Sequence, residues 1–299
     1  MTHDPIKELI HLYVDGAFSR RDLVTRLTRY TGSVAAATAA IESAGLANAQ
    51  TATCPAGVQV AENDPAIIPQ MITIHGEGSP LFVYQVMPSD YVTNKRPGVI
   101  VIHENRGLND HIKDVTRRVA KAGFVAWGID LLSRQGGTAQ FTDPQQQLAA
   151  YGRTTVDQRR QDLVSAALTM RDQTYLRGDR VGVVGFCAGG GNVYELALNT
   201  DAPLSAAVVF YGPPLDAERY ANLRAPLLGI FGETDRGITG RMPAVLTALN
   251  TAQKPYALHI YQGAAHAFHN DTSPSYDPAA ACDAWARTVE FFNRHLTRA

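Results

Sequence analysis

From residue 97 onward the chain alternates between two hydrophobic patterns. Short apolar runs, "PGVIVIH", "FVAWGID", "RVGVVGF", "LSAAVVFYG", "PLLGIFG" and "YALHIYQG", show no polar alternation. Strands covered by helices on both faces have this character. Between them lie segments with helical periodicity, "HIKDVTRRVAKAG", "QRRQDLVSAALTMRDQ", "GNVYELALN", "AVLTALNTA" and "DAWARTVEFFNRHL". The repetition predicts an α/β protein built on a doubly wound, mostly parallel sheet with helices on both faces. Ahead of it, "MITIHG" and "LFVYQVMP" flank "EGS" and predict an antiparallel hairpin at one edge. Such sheets place their ligands at the carboxyl ends of the strands, so the residues just past each apolar run carry the functional information.

The first 50 residues follow a different pattern. In "DPIKELIHLYVDG", Ile6, Leu9, Ile10 and Tyr13 fall at helical spacing, and "SRRDLVTRLTRYTG" opens on a capping serine and closes on Gly32. A helical extension over 1–50, a linker over 51–69 and a main domain over 70–299 follow from these patterns. The same region pairs Arg20 with Arg21, continues into an alanine-rich run and reaches Ala47-Asn48-Ala49, features of a twin-arginine export signal. Glu42 interrupts the apolar run, so the helical reading is preferred and export is the alternative.

Composition narrows the partners. With 27 basic and 28 acidic residues intermixed over 299 positions, the chain offers no broad field for nucleic acid or an anionic membrane. No apolar stretch approaches the roughly 18 residues of a membrane span. Cys54, Cys187 and Cys282 are too few and too widely spaced for a disulfide framework or a zinc site, so a reducing, cytoplasmic setting is the default. A small molecule is the expected partner, and a homodimer the assembly left open.

Gly185-Phe186-Cys187-Ala188-Gly189 follows the strand "RVGVV" and leads a helix, the context of a nucleophile elbow with sulfur in place of oxygen. The helix start favours both a thiolate and an oxyanion. A buried structural cysteine, or a turn that binds phosphate, would also fit this stretch alone. A nucleophile needs a base and the base an orienting acid. Asp235 follows "PLLGIFG" and His266 follows "YALHIYQG", giving the chain order nucleophile, acid, histidine. Glu233 and His269 are the nearest competitors.

Together "GFCAGGG", "FGETDRG", "GAAHAFHN", "HENRGLN" and "IDLLSRQGG" resemble the dienelactone hydrolase family, the carboxymethylenebutenolidase-like branch of the α/β-hydrolases, over residues 70 to 296. The resemblance implies Cys187 as nucleophile, His266 as base and Asp235 as its acid. It further implies that Glu104 contacts the resting thiol, and that the N–H groups of Ala188 and Asn105 form an oxyanion hole. Without the resemblance, a loop salt bridge to Arg106 is the simpler role for Glu104.

For substrate binding the family pattern implies two arginines, with Arg134 at one position and Asn270 where the second would stand. Arg106 either replaces the lost charge or sits in solvent, and Tyr211 is either a pocket wall or packing after its strand. The expected activity is hydrolysis of a small ester or lactone through a thioester, with no metal or organic cofactor. The alternatives are a ligand-binding or stress-associated protein with negligible turnover, and thiol redox work, for which no resolving cysteine lies near Cys187.

Overall fold

A computed structural model of the chain describes residues 5–6, 8–9, 20–41 and 60–297. Its sheet runs in the order β1-β2-β4-β3-β5-β6-β7-β8. The strands are β1 (Ile67–His75), β2 (Pro80–Pro88), β3 (Arg96–Ile102), β4 (Val125–Asp130), β5 (Leu176–Phe186), β6 (Leu204–Phe210), β7 (Leu227–Gly232) and β8 (Tyr256–Tyr261). The hairpin of β1 and β2 pairs antiparallel, β2 also pairs antiparallel with β4, and the remaining ladders are parallel. β1 starts inside the stretch assigned to the linker and accommodates Pro69 because it is an edge strand, where a missing N–H can face solvent.

Side-chain chemistry sets the helix boundaries. Asn109 caps α3 (Asp110–Lys121) by accepting from Ile112 N, and Asp143 caps α4 (Pro144–Gly152), whose first residue is proline. Thr155 and Gln158 form a reciprocal capping box on α5 (Val156–Arg171), and Asp277 caps α8 (Pro278–Phe292). Between these lie α6 (Ala188–Ala197) and α7 (Met242–Thr251). One core, with Trp127, Leu163, Met170, Tyr194 and Val245, fills the face under α5, α6 and α7. The other, with Ile112, Phe186, Phe210, Phe268 and Phe292, fills the face under α3 and α8. The near-continuous apolar runs of β3 to β7 thus meet a helical layer on each side.

Toward the N-terminus, α1 (Arg20–Thr31) and α2 (Val34–Ile41) bury Leu23, Leu27 and Ala37 in a cluster of their own. The arginine pair's side chains, Ala47-Asn48-Ala49 and Cys54 lie outside the described residues. Among the described residues no helix is long and apolar enough to cross a membrane. One expectation is corrected: Cys282, buried on α8, is disulfide-bonded, and Cys187 is free.

Candidate active site

The β5–α6 turn places the sulfur. Cys187 has φ 54° and ψ −119°, a backbone conformation that costs a non-glycine residue about 1–3 kcal/mol. Three hydrogen bonds hold it there. Cys187 N donates to Phe210 O at 3.1 Å, while Cys187 O accepts from Gly190 N at 2.9 Å and Gly191 N at 3.2 Å. A Cβ at Gly185 would collide with the Gly189 backbone, and one at Gly189 with the carbonyls of Ile102 and His103. Glycine at these two positions lets strand, helix and the β3 loop meet, with the sulfur at the start of α6.

Loops after β7 and β8 bring two more groups to the sulfur. The His266 Nδ1 lies 2.6 Å from Asp235 Oδ2. The carboxylate favours the tautomer with the proton on Nδ1, leaving Nε2 for Cys187. The hydrogen bond to the Cys187 sulfur is the largest of the influences that raise the His266 pKa to about 9, and the bond to Asp235 adds to it, against the opposing effect of burial. The competitors are engaged elsewhere. Glu233 accepts from Gly263 N at 2.9 Å. His269 is buried, its ring stacked 5.2 Å from Phe186, and burial pushes its pKa well below the usual imidazole range.

The β3 loop is fixed by His103, which is fully buried. Its Nδ1 donates to Glu104 O while its Nε2 accepts from Leu131 N at 3.0 Å, so both nitrogens are used and the ring is neutral. The N–H of Asn105 has no acceptor among the described residues, and that of Ala188, the first residue of α6, has none within its helix. Both are free to receive an oxyanion.

Glu104 is buried and makes no ion pair with Arg106, which is exposed. Its Oε2 instead accepts from Asn270 Nδ2 at 3.1 Å, and its Oε1 is buried without a partner. Asn270 therefore serves the loop, its Oδ1 also accepting from Thr272 N and Oγ1. Arg134 is likewise committed: its guanidinium forks onto Asp162, with Nε–Oδ2 2.9 Å and Nη2–Oδ1 2.8 Å. Arg134 thus has a carboxylate partner of its own, and Asn270 a carboxylate acceptor in Glu104. Tyr211, at φ 38°, packs its ring 5.1 Å from His266 with a buried, unpartnered hydroxyl. Burial, then the neighbouring Glu104 and Cys187, holds its pKa well above the usual phenol value.

The sequence patterns missed α4 and, with it, Tyr151, whose pKa is raised by burial and, to a smaller extent, by Cys187. Asp143-Pro144 was the available signal, a capping residue ahead of a first-turn proline. Among the described residues no group of three His, Cys, Asp or Glu side chains is arranged to hold a metal ion.

A mostly parallel sheet with a strained cysteine between β5 and α6, followed in order by Asp235 and His266, has the architecture of an α/β-hydrolase. The family model for dienelactone hydrolases matches residues 82–296, and the chain belongs to the dienelactone hydrolase family. A Bradyrhizobium protein named for 2-oxo-3-(5-oxofuran-2-ylidene)propanoate lactonase activity is 34% identical over 75% of this chain and 94% of its own. A Saccharolobus solfataricus protein named for carboxymethylenebutenolidase is 32% identical over 67% of this chain and 90% of its own. Among solved structures, a dienelactone hydrolase of Klebsiella pneumoniae is similar with a TM-score of 0.70 and 28% identity, covering 77% of this chain and 99% of that one. The chain is a hydrolase acting on ester or lactone bonds.

Proposed function

We propose that the protein cleaves a small ester or lactone through a thioester on Cys187. The observation that carries this reading is the continuous contact from the Cys187 sulfur to His266 and from His266 to Asp235 at 2.6 Å. Sulfur attacks the carbonyl carbon with its proton already held on His266 Nε2, whose pKa is raised to about 9, and the N–H groups of Ala188 and Asn105 receive the developing oxyanion. The C–O bond then breaks while His266 returns the proton to the leaving oxygen, which in a lactone stays tethered to the acyl group. Water attacks the thioester, His266 takes its proton, and the thiol is released. Asp235 holds the imidazolium throughout.

Glu104 takes the place of a local proton acceptor or gate for the thiol. Its buried Oε1 has no partner of its own, and a carboxylate beside sulfur disfavours a free thiolate unless it accepts the proton or withdraws. Turnover of short p-nitrophenyl esters and enol-lactones, with an acyl adduct trapped on Cys187 by mass spectrometry, tests the mechanism. Full activity in Cys187→Ala defeats it.

A further inference from the structure

A cavity of about 320 Å³, within the size range of small-molecule sites, is walled by α3, α8 and the loop between β8 and α8. Arg118 and Lys121 come from α3, Ala281 and Trp285 from α8, and His269 and Tyr276 from the loop. Neither the Cys187 sulfur nor its partners His266, Asp235 and Glu104 belong to the described walls. His269 is the most buried of these polar walls, 1% exposed, with Phe186 stacked at 5.2 Å and Trp285 tilted against it at 6.0 Å. Its Nδ1 is buried without a hydrogen-bond partner, and its Nε2 has none among the described residues. A ring needed only for packing would be served as well by phenylalanine, without the cost of an unpaired polar group.

The charges on the walls are already compensated. Lys121 Nζ lies 2.6 Å from Asp64 Oδ2, and Arg118 is bonded to both Asp114 and Asp271. Two cations thus face three carboxylates, an arrangement that gives an arriving anion no attraction. Arg118 makes these contacts through Nε and Nη2, which leaves Nη1 as a donor. Burial keeps His269 neutral, so one of its nitrogens is a bare acceptor. An acceptor and a donor in one cavity suit a hydroxyl, which gives one hydrogen bond and takes another. Trp285 and Tyr276 suit the flat body of an aromatic ring.

We infer that this cavity is a second binding site, for an uncharged single-ring aromatic alcohol, a phenol. Its ring packs on Trp285 and Tyr276, and its hydroxyl donates to His269 and accepts from Arg118. The site is separate from the one that takes the ester or lactone, and it stands whether or not the thioester reading does. No bond to the phenol is made or broken covalently there.

The test titrates phenol, its methyl isostere toluene, and benzoate into the full chain by calorimetry, with Cys187 alkylated by iodoacetamide to block the catalytic pocket. Phenol should bind at one site with Kd of about 0.1–10 mM, and toluene and benzoate at least about 3-fold more weakly. His269→Phe should weaken phenol about 3- to 10-fold and leave toluene unchanged, while ester turnover by the unalkylated variant stays within a few-fold. Trp285→Leu should weaken both phenol and toluene. A second measurement needs no substitution: in NMR, phenol should shift the indole N–H signal of Trp285 and leave that of Trp127, buried in the other core, in place. Toluene or benzoate binding as tightly as phenol, phenol affinity unchanged in His269→Phe, or an unmoved Trp285 signal at saturation overturns the inference. Phenol binding that is lost on alkylation of Cys187 belongs to the catalytic pocket and overturns it too.

Discussion

His266 and His269 stand three positions apart in one loop and have opposite electrostatics. His266 is partly open to solvent, bonded to one acid and one sulfur, and its pKa rises to about 9. His269 is almost fully buried among Phe186, Phe210 and Trp285, and its pKa is pushed well below the ordinary range by burial first and then by Arg118 and His111. Chain position and residue type are nearly the same. What differs is whether the charged form finds compensation, and that alone separates a histidine that keeps its proton from one that stays neutral.

The pair also responds to pH in opposite senses. Because its folded pKa is raised, His266 contributes stability that is complete below its unfolded value near 6.5 and is lost as pH climbs through about 9. His269 must stay neutral when buried, so in the window below 6.5 the unfolded chain binds more protons and stability falls as pH drops.

The largest test of the contrast is activity. His266→Ala should lower kcat/KM for a short ester by about 10²–10⁴-fold, while His269→Phe should retain it within a few-fold. Equal losses would erase the distinction. Next in size is the buried ion cluster behind His269. Removing the cation with Arg118→Met leaves Asp271 and Asp114, both almost fully buried, short of a partner and should cost about 3–5 kcal/mol in urea unfolding.

A subtler effect concerns the source of the raised His266 pKa. Cys187→Ala deletes its largest raising influence, so the imidazole signal in NMR should titrate below the wild-type midpoint of about 9. Asp235→Asn should move it down as well. A midpoint unmoved in both variants would mean that neither contact holds the proton. The smallest expected change is in stability for His269→Phe, within about 1.5 kcal/mol, since no hydrogen bond to its Nδ1 is lost and an aromatic ring is kept.

The apolar runs and the edge hairpin signal were enough to find the strands from β1 to β8, because both faces of the central sheet are covered and its inward positions are apolar. The turn at Cys187 and the loops carrying Asp235 and His266 were legible for the same reason: they sit where those runs end. Partners chosen across the fold were not. Asn270 reaches Glu104 from 166 positions away, and Arg134 reaches Asp162 over 28, pairings with no periodic trace. A family pattern assigned both positions to substrate, and the carboxylate partner that each has in the structure left no trace in the sequence. α4 escaped notice because "QQQLAAYG" has only a short apolar stripe, and Ala150 is its buried residue. The Cys282 disulfide was equally invisible, since spacing alone says nothing of which sulfurs meet.

α4 is bracketed by two self-contained stops, the Asp143 cap with Pro144 before it and the Thr155–Gln158 box after it. Those signals fold their own ends without help from the strands. The eleven-residue interval between Asp143 and Thr155 thus has its ends set locally, while its middle must match the core through Ala150, Tyr151 and Thr154. For a designer or for natural variation, that separates the positions that start and stop the helix from the few that the core holds fixed.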